Sequence, residues 1–111
     1  MDTIEHYQRG IKTVIQHYAQ YKPAYGDIDT RVLFDDEHNS YVLFQIGFEN
    51  HKRIHDAIIH VEILDGKVWI QYDGIEEGIA EDLVQQGIPR DQIVLGFKPA
   101  YIRPYTDYAA A

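Results

Sequence analysis

Four apolar runs between Thr30 and Tyr72, "TRVLF", "SYVLFQIGF", "RIHDAIIHVEIL" and "KVWIQY", are separated only by "DDEHN", "ENHK" and "DG". Parallel neighbours need a crossover of about a dozen residues, so runs joined this closely pair antiparallel, as a meander. Asp65-Gly66 is the sharpest of these joints. It suits a two-residue type I′ turn, which needs positive φ at both central positions. Alternation divides the faces. Val42, Phe44, Ile46 and Phe48 share one side of the second strand, and Tyr41, Leu43 and Gln45 the other. In the third strand Ala57, Ile59, Val61 and Ile63 share a face, and in the fourth Val68, Ile70 and Tyr72 point inward.

Helices flank the meander. Ile4, Tyr7, Ile11, Val14, Ile15 and Tyr18 recur at helical spacing, which predicts an amphipathic helix over 3–20 with Asp2 or Thr3 as its cap. Gly10 is a weak point inside it, and Pro23 disfavours helix at Lys22. A second helix is predicted over 75–86, where Ile75, Ile79, Ala80, Leu83 and Val84 form a stripe, Asp73 caps and Gly87 stops. "IPRDQI" reads as one more helical turn, followed by "VLGF" and a proline-broken tail. The expected fold is α+β: one domain over 1–111, a four-stranded antiparallel sheet, and helices on one sheet face. "KPAY" occurs at 22–25 and again at 98–101, after elements of different kinds and with no repeat period. Each Lys-Pro fixes an extended turn with a tyrosine beyond it, and the two tyrosines are expected to pack near one another.

The sequence offers little for catalysis. It contains no cysteine, which removes disulfides and thiolate chemistry and fits a cytoplasmic protein. The opening "MDTIEHYQRGIKTVIQHY" is polar within every turn, so neither a signal peptide nor a membrane span is expected there. Ser40, the sole serine, lies in a turn outside any nucleophile-elbow pattern. Of the six histidines, His55 and His60 point to opposite faces of one strand, and His6 and His17 are about three helical turns apart. His60 and Glu62 share a face without an evident third ligand, so no metal and no cofactor are expected. Eighteen acids against ten bases give a net charge of −8, which repels a polyanion on average, so binding of bare DNA is not expected.

The outer sheet face carries the candidate interface. With Ile59, Val61, Val68 and Ile70 under the helices, alternation turns Tyr41, Leu43, Ile58, His60, Glu62 and Trp69 outward. An apolar patch around a tryptophan marks a contact surface. Two coverings fit it: the tail, whose Tyr101, Arg103 and Tyr105 join the candidate residues, or another subunit, which would make the chain a homo-oligomer.

"YKPAYGDID", "HVEILDGKVWIQYDG" and "GIPRDQIVLGFKPAYIRPYTDYA", in this order and spacing, resemble the XisI family, the excision controlling factors of the fdxN DNA element. The resemblance runs from Ile4 to Ala109. It implies a small α+β protein that acts with a nuclease-like partner of the XisH type in site-specific excision of a DNA element. It assigns no catalytic residues to the XisI side. Two other readings stay open: a nucleic-acid binder using Lys98, Tyr101, Arg103 and Tyr105, and a small-ligand protein with a pocket between tail and sheet.

Overall fold

The computed structural model describes residues 2–21 and 26–111. Helix α1 spans Thr3–Ala19, and the Asp2 carboxylate accepts from the Ile4 N–H at 3.0 Å, meeting one of the free donors of the first turn. Its buried stripe, Tyr7, Ile11, Val14 and Ile15, is the one that periodicity predicts. Gly10 is buried too, and a Cβ there would lie 3.1 Å from the Gln86 Cβ. The glycine that weakens the helix therefore lets the end of the second helix approach it.

Strands β1 (Asp27–Asp35), β2 (Ser40–Glu49), β3 (Lys52–Leu64) and β4 (Lys67–Asp73) form the antiparallel meander. Asp65 and Gly66 have φ of 51° and 79°, both positive as a type I′ turn requires. A fifth strand, β5 (Ile93–Leu95), lies parallel to β4 and gives the order β1-β2-β3-β4-β5. The expectation of four strands missed it because three residues carry no alternation to read.

Helix α2 is shorter than its apolar stripe suggests, Ala80–Gln85. Gly78 has φ of 81° and closes a turn by donating to the Ile75 carbonyl at 2.9 Å, which keeps 75–78 out of the helix. Asp73 still organises the segment, accepting from the N–H groups of Ile75 at 3.0 Å and Ile79 at 2.8 Å. Both helices lie on one face of the sheet, over a core that joins Ile11, Ile15, Tyr41, Leu43, Ile59, Val61, Val68, Ile70, Ile79 and Leu83. Full burial of each such side chain is worth about 1.5–3 kcal/mol. No helix among the described residues is long and apolar enough to cross a membrane.

The predicted division of faces needs correction at β2. Tyr41 stands opposite Val61 and Leu43 opposite Ile59, and directly opposed residues share a face. Tyr41 and Leu43 are therefore core residues, 0% and 3% exposed, not members of an outer patch. Both faces of β2 are apolar, so its alternation could not say which side is in. Two bulges complicate the rest, because one extra residue shifts the face on which later side chains emerge. The register slips between Leu43 and Phe44, which places Ala57 opposite Phe44 and away from the helices, while Ile58 packs against the core. A second slip, between His60 and Val61, leaves Tyr72 opposite His60 and half exposed instead of inward.

Candidate functional site

Trp69 is on the outer face, opposite Glu62 in β3 and Val94 in β5. It is not bare. The tail crosses it, and the Arg103 guanidinium lies 5.0 Å from its ring centre, within cation–π range. Arg103 is held there by donating from Nε to the Lys98 carbonyl at 3.0 Å and from Nη2 to the Gly96 carbonyl at 3.5 Å. A Cβ on Gly96 would sit 3.1 Å from Trp69 and 2.7 Å from the Gln71 amide oxygen, so only glycine lets the chain pass this close. Of the two coverings that the sequence left open, the tail occupies Trp69.

The far end of the tail is latched as well. Ala109 donates from its backbone N–H to the Ile93 carbonyl at 2.8 Å, and Lys67 reaches the carbonyl of Ala111. The Tyr108 hydroxyl donates to Glu81 at 2.5 Å, and Arg90 pairs with the same carboxylate. The Arg90 guanidinium and then the Tyr108 hydroxyl hold the Glu81 carboxyl below the usual range. Burial, followed by the bond to Glu81, pushes the Tyr108 hydroxyl up to about 12.

This latching leaves the tail's aromatic rings outside. Tyr101 is 74% exposed and Tyr105 86% exposed, with Phe97 half exposed beside Lys98. The structure thus brings Trp69, Arg103, Tyr101 and Tyr105 into one region at the β4–β5 end of the sheet. His60 lies on the outer face beyond it, Ile58 sits in the β3 bulge, and Tyr41 and Leu43 are beneath the helices. The first "KPAY" lies outside the described residues, so the expected meeting of Tyr25 with Tyr101 does too.

His60 has its own contacts. Its Nε2 is 3.0 Å from the Ser40 hydroxyl and 3.9 Å from Glu62, whose other oxygen accepts from the Gln71 amide at 3.2 Å. Serine and glutamate approach the same ring nitrogen. A catalytic relay needs the acid on the opposite nitrogen, where it orients the base. Among the described residues no three histidine, aspartate or glutamate side chains are grouped to hold a metal ion.

Two features were not legible in the residues. One is the outward apolar run Leu33, Val42 and Tyr72, which becomes a group only once the register is known. The other is a cavity of about 670 Å³ beneath the C-terminal half of α1, lined by His17, Tyr18, Tyr21, Leu43, Ile58 and Ile75. It lies on the helix side and not between tail and sheet, where the alternative small-ligand reading would place a pocket.

A mostly antiparallel sheet under two helices, with an aromatic tail that lies over Trp69 on the other face and ends latched to β5 and α2, defines a small α+β domain. The chain belongs to the XisI family, whose model, described as XisI protein, matches residues 1–110. It is similar to a crystal structure of a XisI-like protein from Anabaena variabilis ATCC 29413, at 36% identity and TM-score 0.90, covering 97% of this chain and 99% of that one. It is also similar to the fdxN element excision controlling factor XisI from Anabaena variabilis ATCC 29413, at 28% identity and TM-score 0.85, covering 99% of this chain and 100% of that one. No curated protein matches it.

Proposed function

We propose that this protein is a non-catalytic regulatory factor for excision of a DNA element, acting by contact with a nuclease-like protein of the XisH type. Family membership supplies the process, since one similar structure is named as the fdxN element excision controlling factor. The observation that carries the mode of action is the tail. Tyr101 and Tyr105 are presented outward on a segment tied down at both ends. Tyrosines anchor interfaces well because they bury a large ring at low entropic cost when their backbone is already fixed.

Charge favours a protein over DNA as the partner. The tail's bases are Lys98 and Arg103, and Arg103 is engaged with Trp69 and two carbonyls. With a net charge of −8, the chain has little with which to neutralise phosphates. The acidic surface suits a partner that is basic because it handles DNA. The setting for such a role is the cytoplasm.

The test is co-purification with a XisH-type protein encoded in the same genome. A complex should form, and the Tyr101→Ala/Tyr105→Ala double variant should lose it while its melting temperature stays unchanged. A complex indifferent to both substitutions would move the contact elsewhere. A duplex mobility shift by the protein alone, weakening steeply with salt, would favour direct DNA binding instead.

A further inference from the structure

Strand β1 is nine residues long, pairs only with β2, and leaves its other edge open among the described residues. An edge of this length offers a row of N–H and C=O groups to any strand that can align with it. Arg31, Val32 and Leu33 are consecutive exposed residues on it, Val32 at 39% and Leu33 at 57%. No described group outside the sheet ladder hydrogen-bonds to the backbone of these three. We infer that the β1 edge pairs antiparallel with β1 of a second copy about a two-fold axis at Leu33, which joins the two sheets into one.

The charges select that register. Directly opposed side chains in an antiparallel pair interact most strongly, and like charges there are unfavourable. Centring the axis on Arg31 opposes Arg31 to itself and Asp27 to Asp35. Centring it on Val32 opposes Asp29 to Asp35. Centring it on Thr30 pairs Arg31 with Asp29 but leaves the exposed Leu33 against Asp27. Centring it on Leu33 pairs Arg31 with Asp35 twice, Val32 with Phe34 twice, and Leu33 with its own copy. Within β1 it is the one register of the four that matches charge with charge and apolar with apolar. It pairs residues 31–35, and Thr30 and Asp29 then fall opposite the turn residues Asp36 and Glu37. Asp35 lies 2.7 Å from the His38 ring Nδ1 and accepts from the His38 backbone N–H at 3.0 Å. The side-chain contact and then the backbone bond hold its carboxyl below the usual range, so it meets Arg31 as a carboxylate that also keeps His38. Arg31 has its neighbour Asp29 at only 3.5 Å, with both side chains well exposed. This pairing uses the sheet edge opposite β5 and does not depend on the tail contact proposed above.

The absence of cysteine in the chain makes the test direct. Opposed residues in an antiparallel pair have Cα atoms about 4.5–5.5 Å apart, within disulfide range. Single variants Leu33→Cys, Thr30→Cys and Arg31→Cys of the full chain are oxidised mildly and run on a non-reducing gel. Leu33→Cys should become a covalent dimer. Arg31→Cys should stay monomeric, because its copy lies four residues away, about 13 Å. In solution, light scattering on the cysteine-free chain should give a dimer, Arg31→Asp should give a monomer, and Arg31→Asp/Asp35→Arg should restore the dimer. A monomeric parent chain, preferential linkage at Thr30→Cys, or failure of the charge exchange to restore a dimer whose circular dichroism is native would each overturn the pairing.

Discussion

Trp69 and Ile59 stand on opposite faces of one sheet, and their removal should cost differently. Ile59 is wholly buried in the core, so Ile59→Ala should lower stability by about 2–5 kcal/mol, read by denaturant unfolding. Trp69 is half-buried under Arg103, and Trp69→Ala should cost roughly half as much, through lost tail packing and a cation–π contact worth about 0.5–1 kcal/mol. Because Trp69 is the only tryptophan, its fluorescence reports the cover directly. Arg103→Ala should shift its emission to the red, whereas unchanged emission would mean that the guanidinium does not shield the ring. Tyr18 gives a second residue-level test. Its hydroxyl donates to Asp82 at 2.5 Å, and that bond, with burial, raises its pKa to about 12. A raised folded pKa gives stability that is complete below the ordinary tyrosine value of about 10 and is lost as pH rises through about 12. Tyr18→Phe should flatten the alkaline fall in melting temperature over that window.

Between elements, the joints matter more than the elements themselves. Asp36, in the β1–β2 turn, accepts from Lys12 of α1 at 2.8 Å and from the buried Tyr41 of β2 at 2.7 Å. Lys12 and then Tyr41 hold the Asp36 carboxyl below the usual carboxylate range. Its contribution is therefore present above the unfolded carboxylate pKa and lost as pH falls through the lower folded value. Asp36→Asn should lower the melting temperature at neutral pH and reduce the acid-side fall. Gly10 should also defy its local preference. Alanine is the better helix former by about 1 kcal/mol, yet Gly10→Ala should lower the melting temperature, since its Cβ would meet Gln86 at 3.1 Å. Legibility follows the same division. The α1 stripe, the Asp65-Gly66 turn and the antiparallel order could be read because each rests on local period or turn chemistry. The outward assignment of Tyr41 and Leu43 failed because both faces of β2 are apolar, and the outward assignment of Ile58 and the inward one of Tyr72 failed because two bulges reset the register without leaving a mark in the pattern. Trp69, Arg103 and the tail tyrosines were found as candidates by residue type, but that Arg103 would lie over Trp69 depends on a tail path fixed by Gly96 and Ala109.

For the molecule as a whole, charge and connectivity set the behaviour. With a net charge of −8, bare duplex DNA should not be retarded by this protein near physiological salt in a mobility-shift assay. Connectivity bears on time. The ladders β1–β2, β2–β3 and β3–β4 close over short turns, whereas β5 meets β4 in parallel only after the chain has passed through Gly74–Gln92. Contacts between residues close in sequence form early, because little loop entropy opposes them. The hairpin around Asp65-Gly66 should then belong to the folding nucleus, and β5 with its latched tail should dock after the barrier is crossed. In a stopped-flow chevron, Ile70→Ala should slow refolding, while Val94→Ala, equally buried, should chiefly accelerate unfolding. The segment that carries the exposed tyrosines would thus be the last to arrive and the first to leave, so its occupancy by a partner would lengthen the lifetime of the native state without changing how fast it is reached.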